Sequence, residues 1–499
     1  MTHEELTRRD LLRAGGAGAA GLALLGAGGC RLRGTPEDES VAAPRDPRNI
    51  VLVVIDSLRT DHVGAYGGVR ARTPNLDAFA GESLRFTRAR PESMPTVPAR
   101  RAMLTGKRSF PFRGWHSYEQ EHLIGGPGAE PIPSDQVTFD ELMRRGGYLT
   151  AYVTDNPHTL SPPYDEFRRR FDFRRDIPGQ TPVRRHPPRT LSDEELARYW
   201  PEEIRDQPGA GRLREYIELN RGRTSPDDYH PARVFRAGIE FLERVARRRR
   251  PFMLFVDSFD PHEPWDPPFE YLREYADVRR GEPEPIQPFQ TPSGFADVLR
   301  PSTLERARAL YAAEATFVDV WFGRLLDKLE ELGLGDDTWV VMLSDHGVLL
   351  GERGIIGKSR SNLHRELWSV PFMIRHPERR LAGTTDDYLA STYDVGPTVL
   401  AAAGFDAPRK RMEGEDLTVL FRRRRPKERT YFTSALKNSV CACDDRWLLI
   451  CHNRGGEEKL FDRRADPAEL RDVASSYPSE VKRLYQKVLD DAGGQLPEL

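Results

Sequence analysis

Apolar residues in this chain fall in short continuous runs that end in polar side chains. Four such runs cover residues 49–56, 148–155, 251–258 and 338–345. Runs of this length without alternation are typical of parallel strands that are buried on both faces of a sheet. Apolar residues with helical spacing precede the last three runs, over residues 138–145, 231–248 and 303–332. This repeat of helix and strand predicts a doubly wound, mostly parallel α/β sheet with helices on both faces.

Two stretches interrupt the repeat. Residues 174–230 are rich in Pro, Arg, Asp and Gly and show little periodicity, and residues 277–303 are similar. Connections of this length are uncommon in a compact domain unless they serve function. We therefore expect two insertions that lie over the sheet as lids or substrate-facing loops.

The pattern changes again after residue 405. Residues 429–435 and 446–451 have the composition of strands, and residues 478–492 have that of a helix. We expect a C-terminal α+β subdomain over residues 406–499, with a small antiparallel sheet and one helix. The large α/β domain then covers residues 48–405.

Charge restricts the partners. The formal net charge of the 499 residues is −2, so no overall positive field favours binding to nucleic acid. Arginine is concentrated in two runs, Arg247–Arg250 and Arg422–Arg425. A solvated helix end or loop is the favoured interpretation of each run, and the alternative is a basic patch for an anionic polymer or a membrane surface.

Residues 1–30 have the pattern of an export signal. Thr7–Leu12 contains paired arginines and resembles a twin-arginine motif, and a mildly apolar stretch, residues 14–29, follows it. That stretch is too short and too weakly apolar to remain in a membrane. It ends at Cys30 in a loose lipobox, so lipidation of Cys30 and simple cleavage nearby are both open. We expect export by the twin-arginine route, to the periplasm or to the cell envelope with peripheral anchoring through Cys30, and residues 31–47 as a flexible tether.

Three further cysteines lie near the end of the chain. An exported protein can oxidise a pair of them. On a strand Cys441 and Cys443 point the same way, and Cys451 can face either way on a neighbouring strand. A Cys-x-Cys pair also suits a metal, but no histidine cluster beyond His452 accompanies it, so we expect a disulfide or buried thiols.

Carboxylates and one imidazole follow two of the predicted strands. Asp56 ends the first apolar run, and Asp345 with His346 ends the last. The carboxyl ends of strands form the ligand-binding edge of an open α/β sheet. A strand-end aspartate considered alone is more often a helix cap or a loop anchor. Together, however, two carboxylates and an imidazole suit a hard or borderline divalent cation.

The segment Met94–Gly106 reads MPTVPARRAMLTG and resembles the signature of the sulfatase family, which is C/S-x-P-x-R followed by an apolar stretch and Thr-Gly. Further segments that resemble the family are Asp260–Pro264, Ser344–Gly347, Leu350–Glu352, Gly357–Lys358, Val370–Ile374, Asp394–Thr398, Leu460–Asp462 and Asp466–Pro467. The resemblance covers nearly the whole chain after the export signal. It implies an alkaline-phosphatase-like fold and metal-dependent chemistry on ester bonds.

The resemblance also implies a role for individual residues. The implied ligands of the cation are Asp56, Asp345 and His346. The implied catalytic residues are Thr96 as nucleophile, Arg100 to offset charge beside it, and His262 and Lys358 at the transferred or leaving group. Further candidates are Ser57 and His364.

The sequence departs from the sulfatase pattern at Thr96 and Ser57. Sulfatases convert a cysteine or serine at the first position to formylglycine, and threonine is not expected to undergo this conversion. A threonine hydroxyl can still attack directly beside a cation, as in phosphodiesterases and phosphotransferases of the alkaline phosphatase superfamily. Ser57 stands where sulfatases usually have a second carboxylate, so we expect one divalent cation, with Mn²⁺, Zn²⁺ or Mg²⁺ favoured over Ca²⁺. The segment 155–158 also lacks a lysine that sulfatases carry there.

Three functions fit these residues. The leading one is a metal-dependent hydrolase or transferase that acts on phosphate mono- or diesters in the cell envelope, with a small molecule, glycan or lipid as substrate. The second is a sulfatase that acts on a sulfated glycan or aryl sulfate. The third is a catalytically silent protein that binds an anionic glycan, and it is disfavoured because a silent cleft does not need the full set of residues.

Overall fold

The computed structural model describes residues 41–112, 128–133, 135–181, 190–204, 210–280, 296–358, 363–406, 408 and 411–498. The predicted export signal, Cys30 and residues 31–40 of the tether lie outside the described residues, as do parts of both predicted insertions. In the described part of the chain, no helix is long and apolar enough to cross a membrane.

Strands form one large and one small sheet, with a short two-stranded ribbon beside them. The strands are β1 (Asn49–Ile55), β2 (Leu84–Phe86), β3 (Leu149–Thr154), β4 (Phe173–Asp176), β5 (Phe252–Ser258), β6 (Thr338–Leu343), β7 (Leu349–Leu350), β8 (Ile356–Gly357), β9 (Phe372–Arg375), β10 (Thr384–Asp386), β11 (Phe432–Leu436), β12 (Ser439–Cys443), β13 (Trp447–His452) and β14 (Lys459–Asp462). Among described residues the large sheet has eight strands in the order β10-β2-β9-β6-β1-β5-β3-β4.

Helices lie between these strands along the chain. They are α1 (Pro74–Gly81), α2 (Thr96–Thr105), α3 (Phe139–Arg145), α4 (Pro157–Leu160), α5 (Asp165–Arg169), α6 (Asp193–Ala197), α7 (Ala210–Asn220), α8 (His230–Val245), α9 (Phe269–Leu272), α10 (Pro301–Glu331), α11 (Arg365–Trp368), α12 (Val395–Ala402) and α13 (Pro478–Asp491). The helices predicted over residues 138–145, 231–248 and 303–332 are therefore confirmed as α3, α8 and α10.

The centre of the large sheet is parallel. β1 pairs in parallel with β5 and β6, and β3 pairs in parallel with β5 and β4. Only β9 opposes its neighbours in this sheet, since it runs antiparallel to both β6 and β2. The predicted mostly parallel sheet is confirmed. Because β1, β5 and β6 point the same way, the residues that follow them meet at one edge.

Helices cover both faces of this sheet. Along β1, Ile50, Leu52 and Val54 join an apolar cluster with α2, α3 and α12, whereas the alternate residues join a second cluster with α1, α8 and α10. Every residue of β1 is buried. This is the reason that the sequence shows a continuous apolar run instead of alternation.

Three short strands of the large sheet were not apparent in the sequence. β2, β4 and β10 contain three or four residues each, and β4 and β10 are the two edges of the sheet. Most residues of β4 and β10 are exposed, and β2 is too short to leave a continuous apolar run. The sheet is therefore wider than the four runs alone indicate.

The first predicted insertion contains helices as well as loops. α6 and α7 both lie within it, and the buried residues Leu213, Tyr216 and Ile217 of α7 recur at helical spacing. They pack in a cluster that includes Tyr311 of α10. The surrounding prolines, glycines and arginines dominate the composition and obscure this spacing in the sequence.

The C-terminal part is the predicted small antiparallel sheet with a helix. β11, β12, β13 and β14 pair with one another in sequence order, and Leu484 and Val488 of α13 pack on one face. The three cysteines of this sheet are buried and free. Cys441 and Cys443 lie in the cluster on one face, and Cys451 lies in the cluster on the other, so the buried-thiol alternative is the one observed.

This small sheet contacts the segment that leads to Thr96. The backbone N–H of Met94 donates to the carbonyl of Ala435 at 2.9 Å, and Met94 forms an isolated parallel bridge with Leu436. Thr96 then begins α2 two residues later. The C-terminal sheet therefore helps to fix the loop before the predicted nucleophile.

We expect Asp319→Ala to lower the free energy of unfolding by about 2–3 kcal/mol, because the carboxylate caps a helix from outside it. Asp319 lies on α10 and accepts the backbone N–H groups of Asn75 and Leu76, in the first turn of α1, at 3.2 and 2.7 Å. Urea unfolding measures the loss. Asp336→Ala, which removes an exposed carboxylate, is the control, and an equal effect of both changes would contradict the capping role.

Candidate active site

The predicted cation ligands converge at the carboxyl edge of the large sheet. Asp56 follows β1, and Asp345 and His346 follow β6. One ligand atom from each of the three residues lies within 4.8 Å of the others, and all three residues are buried. The parallel pairing of β1 with β6 explains the convergence, since it brings together residues far apart in the sequence.

Backbone hydrogen bonds lock the two strand ends together. The N–H of Ser57 donates to Asp345 Oδ1 at 3.0 Å, and the N–H of Leu58 donates to Ser344 Oγ at 3.0 Å. Ser57 has a φ of 59°, in the left-handed region that non-glycine residues rarely adopt. Its carbonyl accepts a hydrogen bond from Tyr311 at 2.7 Å. Backbone strain of this kind persists where surrounding contacts determine the conformation, and it concentrates at functional sites.

One guanidinium holds three buried carboxylates. Arg100 Nη2 donates to Asp257 Oδ1 at 2.6 Å, Nη1 donates to Asp345 Oδ2, and Nη1 lies 3.2 Å from Asp56 Oδ2. Although burial opposes it, these carboxylates raise the pKa of Arg100. Arg100 was predicted to offset charge beside the nucleophile, and it lies one turn along α2 from Thr96. Its contacts in this structure are with the carboxylates around the cation site.

The site has an excess of negative charge. Three carboxylates and one guanidinium leave two negative charges when all are ionised. Burial, reinforced by Asp345, raises the pKa of Asp56 to about 7. Asp56 Oδ2 also accepts no hydrogen bond among the described residues. A buried, under-neutralised pair of carboxylates beside an imidazole fits one divalent cation.

His346 presents an unprotonated nitrogen to Thr96. Its Nδ1 donates to the carbonyl of Gly347 at 2.9 Å, and this bond fixes the tautomer. Burial lowers the pKa of His346 to about 3, so the ring is neutral. Nε2 then faces Thr96 Oγ1 at 3.3 Å and Asp345 Oδ2 at 3.3 Å. The backbone carbonyl that orients the ring is the kind of partner that metal-binding histidines have.

Thr96 is the first residue of α2 and is buried. The N-terminus of a helix carries free N–H groups and a partial positive charge, so it stabilises an anion. The hydroxyl of Thr96 lies between this helix end and Nε2 of His346. The position suits an oxygen that becomes negatively charged or receives a negatively charged group.

Lys358 and Glu263 form a second ion pair at the site. Lys358 Nζ donates to both carboxylate oxygens of Glu263, at 2.9 and 3.1 Å, and lies 3.5 Å from Ser57 Oγ. His262 donates from Nδ1 to the carbonyl of Glu263 at 2.7 Å, and its ring stacks on Phe259. Burial lowers the pKa of His262 well below its usual range. Its Nε2 is therefore a proton acceptor.

His158 adds a third neutral imidazole to this region. It is partly buried at the start of α4, beyond the end of β3. Burial, followed by the charges of Arg100 and Lys358, lowers the pKa of His158 to about 4. Its ring lies 6.2 Å from that of Phe259, on which His262 stacks. His158 lies within the segment where sulfatases have a lysine.

The first insertion reaches the site through Gln180. Its Nε2 donates to Asp155 Oδ2 at 3.0 Å and to Asp260 Oδ1 at 2.6 Å. Burial raises the pKa of both carboxyl groups, and the charge of Asp260 adds to the rise at Asp155. Asp155 Oδ1 also accepts the N–H of Phe259 at 2.8 Å. Gln180 thereby ties the insertion to the turn that carries His262.

His364 lies apart from these residues. Its Nδ1 is 3.0 Å from Glu469 Oε2, and its ring packs edge-on against Phe461. Both partners belong to the C-terminal part of the chain. The described contacts of His364 are thus with the small sheet, and the structure does not bring it together with the other candidates.

Sequence reasoning missed four residues of this region. Asp257 had a usable signal, since it lies near the end of an apolar run just as Asp56 does. Glu263 occupies the variable position of a recognised segment, and His158 stands beside a recognised departure. Gln180 had no signal, because only the folded insertion brings it to the site.

The sequence comparisons agree with this geometry. Residues 48–405 match the family described as Sulfatase. The chain belongs to the sulfatase family. Residues 351–492 also match a family described as N-sulphoglucosamine sulphohydrolase, C-terminal. As a sulfatase-family protein it is an ester hydrolase of the alkaline phosphatase superfamily.

Relatives of this sulfatase-family chain span nearly all of its length. It is 25% identical to the multifunctional alkaline phosphatase superfamily protein PehA of Trinickia caryophylli, over 89% of this chain and 94% of PehA. It is 26% identical to the uncharacterized sulfatase YidJ of Escherichia coli, over 89% of this chain and 86% of YidJ. The phosphonate monoester hydrolase of Agrobacterium radiobacter has the same fold, with a TM-score of 0.66 and 21% identity over 89% of this chain and 95% of that one.

We expect Arg100→Ala to lower the free energy of unfolding by at least about 3 kcal/mol in the presence of a chelator, because three buried carboxylates lose their common partner. The loss is larger at about pH 8 than at about pH 5.5. Without the guanidinium the folded carboxyl groups have pKa values above their unfolded values, so stability falls as pH rises through the folded pKa. Urea unfolding at both pH values measures this.

Arg101→Ala is the matched control on the next position of α2. Arg101 is paired with the partly exposed Glu130 at 3.0 Å, so its removal costs about 1 kcal/mol or less. A loss for Arg100→Ala that equals this control, or that is independent of pH, would refute the central role of Arg100.

Proposed function

We propose that this sulfatase-family protein is a metal-dependent hydrolase of phosphate mono- or diesters in the cell envelope and that Thr96 is its nucleophile. The observation that carries the proposal is the position of Thr96 at the start of α2, with Oγ1 3.3 Å from the unprotonated Nε2 of His346. Threonine is not expected to be converted to the formylglycine whose hydrated aldehyde sulfatases use. Direct attack on phosphorus needs only a deprotonated oxygen and a site that stabilises negative charge.

The residues around Thr96 have different roles in the first step, which is transfer of the phosphoryl group to Thr96. Asp56, Asp345 and His346 would hold one divalent cation, which supplies positive charge that favours a deprotonated Thr96 and offsets charge on the phosphoryl oxygens. Thr96 Oγ1 loses its proton to solvent and attacks phosphorus in line with the leaving oxygen. The bond from phosphorus to that oxygen breaks, the ester alcohol leaves and takes a proton from solvent, and the phosphoryl group stays on Thr96. Arg100 keeps the carboxylates in place, and the start of α2 stabilises the anion.

The second step releases the phosphoryl group. Water, or an acceptor alcohol if the group is transferred, attacks the phosphothreonine in line with Thr96 Oγ1. His262 accepts the proton of the attacking oxygen, because its Nε2 is unprotonated and its Nδ1 is fixed by the carbonyl of Glu263. Lys358 lies close enough to Ser57 to stabilise charge at the same edge.

A second candidate is hydrolysis of a sulfate ester, for which family membership itself is the support. YidJ, a relative at 26% identity, is named a sulfatase, whereas PehA is named a multifunctional alkaline phosphatase superfamily protein. The two candidates differ in the fate of Thr96. Phosphoryl transfer leaves a phosphothreonine that water resolves by attack at phosphorus, whereas sulfatases expel sulfate by collapse of a formylglycine hemiacetal, a route that threonine lacks.

We expect Thr96→Val to lower kcat/KM on aryl phosphate mono- or diesters roughly a thousandfold or more, because it removes the nucleophilic oxygen and nearly preserves the volume. Thr96→Ser, which keeps the hydroxyl, is the control and retains activity. Turnover of paired aryl phosphate, phosphodiester and sulfate substrates measures the specificity. Mass spectrometry of the quenched reaction should find a phosphoryl group on the peptide that carries Thr96.

Two results would contradict the phosphate assignment. Sulfate ester cleavage as efficient as phosphate ester cleavage would make this a threonine-dependent sulfatase. Absence of any Thr96-dependent turnover would support transfer to an acceptor that the assay lacks, or the silent binding function.

We expect the protein to bind one divalent cation per chain and to lose that cation in Asp345→Ala, because two carboxylates and one imidazole supply its ligands. Elemental analysis of the folded, desalted protein gives the stoichiometry independently of turnover. Asp336→Ala is the control with an equal change of charge. A stoichiometric cation that persists in Asp345→Ala would place the metal elsewhere.

A further inference from the structure

Both arginine runs contribute residues to the edge of the large sheet opposite the candidate active site. Arg247–Arg250 directly precede β5. Arg422–Arg425 directly follow Phe421, whose ring packs at 5.1 Å on Trp339, the second residue of β6. Because β5 and β6 flank β1 in parallel, Arg250 and Arg422 lie at the amino ends of strands, on one side of the sheet. Arg425 instead pairs with Asp386, the last residue of β10.

Other arginines connect the two runs along this edge. Arg48 directly precedes β1, and His376 directly follows β9, which ends at the same edge because it is antiparallel to β6. The ring of His376 lies 4.3 Å from that of Trp339 and 5.4 Å from that of Phe421, so the second run begins beside His376. Burial lowers the pKa of His376 to about 4, and the charge of Arg380 adds to this effect. Neighbouring strands are about 4.8 Å apart, so this edge is roughly 20 Å wide from β9 to β3.

Seven exposed arginines of the two runs have no carboxylate within ion-pair distance among the described residues. These amino-edge arginines are Arg247, Arg248, Arg249, Arg250, Arg422, Arg423 and Arg424. By contrast, Arg48 pairs with Asp337 at 2.7 Å, and Arg380 pairs with Glu378 at 2.7 Å. The edge therefore has unneutralised positive charge although the whole chain has a net charge of −2.

The chain enters the described fold at this same edge. Residues 45–48 lead directly into the amino end of β1, and the N–H of Arg45 donates to the carbonyl of Gly404 at 2.7 Å. Lipid attachment at Cys30 is one of the two alternatives that the sequence leaves open, and residues 31–40 separate Cys30 from the first described residue. A lipid anchor on this tether would restrain the amino edge of the sheet close to a bilayer.

We propose that the amino-edge arginines bind the anionic headgroups of a lipid bilayer, on the side of the sheet where the chain enters the described fold. Basic residues near an anionic surface each add to binding, and one lipid chain needs a second attraction to hold a protein stably. Asp56 lies at the other end of β1 from Arg48. A strand rises about 3.3 Å per residue, so the two residues are about 25 Å apart. The candidate active site then faces away from the bilayer.

The test is binding of the full chain to vesicles. All proteins carry Cys30→Ser, so no acyl chain contributes. The vesicles contain phosphatidylcholine alone or with phosphatidylglycerol. The edge variant combines R247Q, R248Q, R249Q, R422Q and R424Q. The control variant combines R70Q, R198Q, R212Q, R464Q and R471Q, which lie elsewhere, are exposed, and have no ion pair among the described residues.

The parent protein should sediment with phosphatidylglycerol vesicles, at low salt, and not with phosphatidylcholine alone. The edge variant should bind these vesicles at least about tenfold more weakly than the parent. The control variant should bind like the parent, and aryl ester turnover should be unchanged in both variants. Equal weakening in both variants would show a net-charge effect and overturn the proposal. Absence of vesicle binding, with salt-sensitive retention on heparin, would assign the edge to an anionic polysaccharide instead. Both outcomes are independent of which ester the enzyme cleaves.

Discussion

The contact between Arg100 and three buried carboxylates is the constraint on which the site depends. Asp56, Asp257 and Asp345 follow or end three adjacent parallel strands, and without a shared cation their charges would repel in a poorly solvated interior. The guanidinium comes from the helix whose first residue is Thr96. The interaction that allows the strand ends to approach one another therefore also sets the distance between Thr96 and the cation ligands. Fold and site geometry depend on the same hydrogen bonds.

Burial has a second effect on the chemistry. It lowers the pKa of His346, His262 and His158, so each offers a neutral ring at the edge of the sheet. Two of these rings donate from Nδ1 to backbone carbonyls, which leaves Nε2 free to bind a cation or accept a proton. Positive charge instead comes from Arg100 and Lys358, and both are held by carboxylates. In this site the neutral histidine rings are the proton acceptors, and Arg100 and Lys358 supply the permanent positive charge.

The sequence indicated the parallel core well, because burial on both faces forces continuous apolar runs, as in β1. It indicated the cluster of Asp56, Asp345 and His346 because parallel strands end together. It did not indicate β4 or β10, which are too short and too exposed to leave a pattern. It also could not show that Gln180 reaches Asp260, since a long-range contact of a loop residue depends on how the insertion packs. His364 was chosen from the motif alone, and its contact with Glu469 depends on the C-terminal sheet.

The hydrogen bond from Met94 to Ala435 joins the nucleophile loop to a strand more than three hundred residues later in the chain. During synthesis from the amino end, the large domain emerges first, yet the loop before Thr96 lacks this partner until β11 has left the ribosome. The contact that holds the nucleophile loop can therefore form only when the chain is nearly finished.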